Sequence, residues 1–299
     1  MGLFFSSDRF TRPGPGVRPD APRKKGVARL AEIMGRDMWN FFRAGFLAFL
    51  GCLPFIIGMF FAVETHALLF MLLAGIIGGL IAGPELSAMA DTVLRSLRDE
   101  PGYWWETYRR VWKRNARESL VPGMLTGLVL SMQIFTLFHM SVISAGIVTW
   151  VLLILSFVVT LGLESYIWPQ IALLDLPLYG ILKNSLLLFL GYLPRSLGAI
   201  AIKAVYWGAI LLFFPLTTII LPFTNFWLPM LPALLCIYQP LNKCFTIEST
   251  INKMREDELN AALAKDNEPL PEDPTEKAEE STDSSSDDSS SDDSSSDVQ

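Results

Sequence analysis

The sequence predicts an all-α, polytopic transmembrane bundle of about six spans, with a cytoplasmic amphipathic helical hairpin and an acidic, disordered tail. Three observations carry this. Of the 299 residues, 51% are hydrophobic, and the mean hydropathy is +0.38. The apolar residues gather into runs of about 20, enough to cross roughly 30 Å of hydrocarbon. The segments joining these runs alternate between rich in Lys and Arg and empty of them.

The net charge of -6 hides an asymmetry. Residues 256–299 hold 16 acidic residues and 2 lysines, which leaves 14 acidic and 22 basic residues in 1–255. A basic body suits an anionic lipid surface. Its basic residues flank apolar spans and line no soluble face, so nucleic acid is not an expected partner. Cys52, Cys236 and Cys244 lie in or beside apolar segments without CxxC spacing and read as packing residues. No cleavable signal peptide is expected, because residues 1–38 are charged and rich in proline.

Residues 1–28 read as a flexible basic arm. Ala28 to Asn40 then carries Leu30, Ile33, Met34 and Met38 on one face, as an interfacial lead-in helix would. Spans are expected at 41–62, 67–82, 120–138, 142–163, 196–214 and 226–245, within a bundle covering 29–255. Gly83-Pro84 is expected to stop or kink the second span, since proline has no N–H to donate. The polar stretch 85–118 reads as two helices about the turn Glu100-Pro101-Gly102. Its second helix mixes Trp104, Trp105, Tyr108 and Trp112 with Arg109, Arg110, Lys113, Arg114 and Arg117. Such a mixture suits a headgroup layer, packed under the bundle or turned toward a partner. Residues 179–192 are apolar but short and contain Lys183 and Asn184, so a partly inserted helix is expected there. From 256 to 299 the chain is acidic and ends in Ser-Ser-Ser-Asp-Asp repeats, too polar to offset its chain entropy.

Orientation follows from the charges. Segments 63–66, 139–141 and 215–225 contain no Lys or Arg. The chain to Arg43 contains nine, residues 85–118 seven, and 243–255 three. Both termini are therefore expected in the cytoplasm.

No HExxH, GxSxG, P-loop or dinucleotide turn is present, so neither catalysis nor a cofactor is expected. His66, His139 and Glu64 fall at outer loops, where interface residues are commoner than a metal site. Lys203 lies within the fifth span. It either snorkels to the headgroups or pairs with Glu164, which could also meet Arg195.

The run Gly83-Pro84-Glu85-Leu86-Ser87-Ala88-Met89, followed by Val93 to Glu100, resembles the YesL family of bacterial membrane proteins. So does Tyr103-Trp104-Trp105-Glu106-Thr107-Tyr108-Arg109-Arg110-Val111-Trp112-Lys113-Arg114-Asn115, and so does Leu182-Lys183-Asn184-Ser185 with Tyr192-Leu193-Pro194. The resemblance covers about 38–254. It implies an accessory role in carbohydrate uptake at a bacterial plasma membrane, with transporter subunits as partners. Gly83, Pro84, Trp105, Arg109 and Asn115 carry the motif, and Glu164 and Lys203 join them as interaction candidates. The alternative is a small-solute (sugar) permease, for which Thr126, Ser131, Gln133, Ser156 and Lys203 supply few polar groups.

Overall fold

The structure, a computed structural model, describes residues 24, 26–100, 102–140 and 146–266. The N-terminal arm up to residue 23 and the Ser/Asp repeats lie outside the described residues. Among the described residues all regular structure is helical. The helices are α1 (Gly26–Thr65), α2 (Leu68–Arg98), α3 (Trp104–Phe138), α4 (Ile147–Leu173), α5 (Leu178–Gly191), α6 (Leu193–Leu212), α7 (Thr217–Thr224), α8 (Trp227–Phe245) and α9 (Ile247–Asp266).

Five of these, α1, α2, α3, α4 and α6, are long and apolar enough to cross a membrane. The sixth expected span forms as α8, a 19-residue helix carrying Pro232 and Pro240, but it is not among those five. Helix α5 has 14 residues. At 1.5 Å per residue it reaches about 21 Å, short of the hydrocarbon thickness.

The first three helices are longer than a bilayer requires. At the same rise, the 40 residues of α1 extend about 60 Å, and the 31 of α2 and 35 of α3 extend about 46 and 52 Å. The expected lead-in 28–40 is therefore no separate interfacial helix. It continues into the first span without a break, because nothing between Gly26 and Phe41 interrupts helical hydrogen bonding. Likewise, 85–118 is no separate hairpin but the joined ends of α2 and α3. Asp99 closes α2 in the left-handed region, at φ 59°.

Gly83-Pro84 does not break α2. Pro84 sits inside a continuous helix, and the irregular turn is a π-helical stretch at Ala74–Gly78. What Gly83 supplies is closeness. Gly75, Gly79 and Gly83 face Gly127, Gly123 and Ser119 of α3, and a Cβ added at any of the three would overlap the partner backbone. Each step of four along α2 matches a step of four back along α3. Two small-residue stripes thus bring antiparallel backbones into contact, where lipid would not drive association. Pro84 lies buried within the helix beside this contact.

The segment 215–225 also departs from expectation. It contains the short helix α7, and Phe223 stacks on Phe42 with centroids 5.8 Å apart. Trp227 stacks on Phe41 at 5.9 Å, and Gly45 faces Asn225 and Trp227 with no room for a Cβ. Gly45 lies about 30 Å along α1 from Thr65. The segment therefore does not sit beside 63–66 and 139–141. Its lack of Lys and Arg goes with an apolar surface, of which Leu216, Ile219, Ile220 and Phe223 stay exposed. Helices α6 and α8 run antiparallel, with Trp207 on Phe226 at one end and Tyr192 beside Cys244 at the other.

The described residues divide into two units, up to Ile247 and from Glu248. In the second, α9 runs through 256–266, part of the stretch expected to be disordered. Ala261, Ala262, Leu263 and Ala264 are strong helix formers and explain the extension.

Candidate functional site

Helices α1, α2 and α3 meet at two chemically opposite ends. At one, His66 and His139 are in contact, their Nδ1 and Nε2 2.6 Å apart. The Nδ1 of His139 lies 2.8 Å from the Phe135 carbonyl oxygen. A carbonyl has no hydrogen to give, so this nitrogen donates, and Nε2 accepts from His66. Among the described residues no three His, Cys, Asp or Glu side chains stand close enough to hold an ion, so Glu64 does not complete a metal site.

The other end is rich in arginine. Arg29 donates to the Leu97 carbonyl at 3.1 Å and to Asp99 at 2.6 Å. Arg36 donates to Asp99, to Asp37 at 2.9 Å and to the Ser96 carbonyl at 2.8 Å. Arg95 pairs with Asp91, and Arg98 with Glu100. Each of these four arginines thus has an acidic partner. The start of α1 is clasped to the end of α2, and a cleft of about 310 Å³ lies beside the clasp. Arg36, Asn40, Thr92, Asp99, Trp104 and Tyr108 are among the residues that line it. Above it the Arg43 guanidinium lies 5.2 Å from the Trp39 ring and 5.6 Å from Trp104.

Burial pushes the Asp99 carboxyl up, but the hydrogen bonds from Arg36 and Arg29 outweigh it and hold its pKa below the ordinary carboxylate value. A depressed folded pKa gives stability that is present above the unfolded value, about 3.9, and is lost as pH falls through the folded one. Asp99→Asn keeps a residue tolerated at positive φ while removing the charge. With Asp99 partly exposed, it is expected to cost about 1 kcal/mol. Proteolysis of the Arg29 region should then rise at neutral pH, and in the parent chain only below about pH 4. Equal protection in both chains from pH 3 to 7 would rule the clasp out.

The residues singled out from the sequence do not converge on one site. Gly83 and Pro84 are buried at the α2–α3 contact. Trp105 and Arg109 lie one turn apart on the outer surface of α3, and Trp105 is 57% exposed. Asn115 is buried and accepts from Arg114 at 3.0 Å. Glu164 and Lys203 do come together, 3.8 Å apart and both largely shielded, with Trp168 donating to Glu164 at 3.2 Å. Lys203 therefore faces its carboxylate and does not snorkel. Nearby, Gln133 donates to Thr160 at 2.8 Å and Gln170 to Ser185 at 2.8 Å.

Two features escaped the sequence analysis. The stripes Gly75-x3-Gly79-x3-Gly83 and Ser119-x3-Gly123-x3-Gly127-x3-Ser131 were legible as small residues at helical spacing. The Arg29–Arg36–Asp99 clasp had no local signal, since its partners lie more than 60 residues apart. Compared with protein families, curated proteins and solved structures, the chain matches none.

Proposed function

We propose that this chain is a non-enzymatic accessory or assembly protein of a bacterial plasma membrane, with its arginine-rich end in the cytoplasm, and that it works beside carbohydrate transporter subunits. The observation that carries this reading is the clasped extension of α1, α2 and α3. It projects on the order of 20 Å past the hydrocarbon, by helix length minus bilayer thickness. It is held by ion pairs inside and displays Trp105 and Arg109 outside. Rigid, exposed tryptophan and arginine are the residues that most often anchor protein contacts. The charge asymmetry between the two ends of α1, α2 and α3 supports the orientation. The carbohydrate link rests on the YesL resemblance alone.

Purification of the full chain in mild detergent tests the reading. Transporter subunits are expected with the parent chain and should be depleted at least tenfold with Trp105→Ser/Arg109→Gln. Recovery of the chain alone in both cases would reject it. A second reading, a small-solute permease, draws on the buried Glu164–Lys203 pair and the Gln133–Thr160 bond beside it. Accumulation of a sugar by liposomes holding only this chain would favour that reading instead.

A further inference from the structure

The cations at the arginine-rich end fall into two classes. Those of the clasp and the end of α2, Arg29, Arg36, Arg95 and Arg98, all have acidic partners. Those on the outer side of α3 have no acidic partner on another helix. Among the described residues Arg109, Lys113 and Arg117 make no salt bridge. Arg110 meets only Glu106 of its own helix, in a pair about 70% exposed on both sides, where water screens most of the attraction.

Their spacing gives the outer set a direction. At 100° per residue, Arg110, Arg114 and Arg117 lie on the same strip of α3 as Val121, Leu125 and Met132, with Lys113 at its edge. Val121, Leu125 and Met132 are exposed apolar residues of a span, so this strip faces lipid. Arg117 follows Val121 by one turn, and Arg110 lies about 10 Å further along. A headgroup layer occupies roughly 5–8 Å on each side of the hydrocarbon. Arginine and lysine side chains are long enough to cover the difference. The acids nearby are few. Glu106 is engaged with Arg110, and Glu118 stands beside Asp175. Arg114 is partly committed to the Ala172 carbonyl at 2.8 Å. Three cations, Arg110, Lys113 and Arg117, thus stand at headgroup depth with no inward partner and in line with a lipid-facing surface.

We propose that Arg110, Lys113 and Arg117 form a binding strip for acidic phospholipid headgroups of the adjoining leaflet. Guanidinium groups present paired donors to phosphate oxygens, and lysine adds a point charge. The strip adjoins the Trp105–Arg109 face, with Lys113 one turn beyond Arg109, so separate variants of the two sets tell lipid binding from the proposed partner role.

The test is native mass spectrometry of the full detergent-purified chain with equal phosphatidylglycerol and phosphatidylcholine. The parent chain should retain phosphatidylglycerol by on the order of tenfold over phosphatidylcholine. Arg110→Gln/Lys113→Gln/Arg117→Gln should bring the ratio near one, since the strip then carries no charge to attract an anionic headgroup. Lys113→Glu/Arg117→Glu should lower it further. Trp105→Ser/Arg109→Gln should keep most of the preference, and raising salt should erode it. All replaced positions are exposed, so an unchanged melting temperature is the check on folding. Equal retention of both lipids by the parent chain would overturn the proposal. So would an intact preference in the triple variant, or loss of a co-purified protein from that variant with lipid preference unchanged.

Discussion

Lys203→Met is expected to destabilise the bundle by about 3–5 kcal/mol, because it leaves the Glu164 carboxylate in a shielded site without its partner. The cost comes from the uncompensated charge. Pairing does not recover all the hydration two buried ions give up, so removing both charges is far milder than removing one. Glu164→Gln/Lys203→Met should therefore recover most of the loss. Glu164→Gln alone should be harmful too, since the ammonium then has no counter-ion. The measurement is the unfolding midpoint in detergent for the three variants and the parent. If Lys203 instead reached the headgroups, Lys203→Met would be neutral and the double variant additive. That outcome would discard the pair.

Gly79→Leu is expected to be at least as damaging, by ~3 kcal/mol or more, and to abolish the close contact of α2 with α3. A Cβ at Gly79 would already overlap the Gly123 carbonyl, and backbone atoms cannot move aside as a flexible side chain can. Gly123→Leu should match it, since a Cβ there meets the Gly79 carbonyl in return. The contrast is Gly198 of α6, where nothing lies within 4 Å of an added Cβ. Gly198→Ala should be neutral or gain up to about 1 kcal/mol through helix propensity. Comparable melting temperatures for Gly79→Leu and Gly198→Ala would show that the stripes do not hold the helices together.

How much was legible depended on the range of each signal. The helix class, the apolar runs and the turn at 99–103 follow from local composition, because hydrocarbon demands internally bonded helices. The Glu164–Lys203 pairing was one of two open alternatives, and packing α4 against α6 chose it. Of the two outcomes expected at Gly83-Pro84, a stop or a kink, the stop is overturned, although the missing N–H of Pro84 favours it. In the bundle α2 continues through Pro84 as one helix, with Gly79 and Gly83 seated closely on α3. The 215–225 segment misled for another reason. An absence of Lys and Arg is compatible both with an outer loop and with an apolar segment laid against the start of the first span, where Phe223 and Trp227 stack on Phe42 and Phe41.

The sequence by itself determined that this chain is a helical membrane protein with a basic body and an acidic end. Those properties depend on hydropathy and charge summed over neighbouring residues. Only the tertiary structure decided that three helices continue beyond bilayer length as one clasped extension, which arginines are paired across the clasp, and which stand outward without an acidic partner on another helix. The distinction between Arg36 and Arg117 is invisible in composition. It arises because Asp99 lies beside one, in a left-handed turn far along the chain, and lipid lies beside the other.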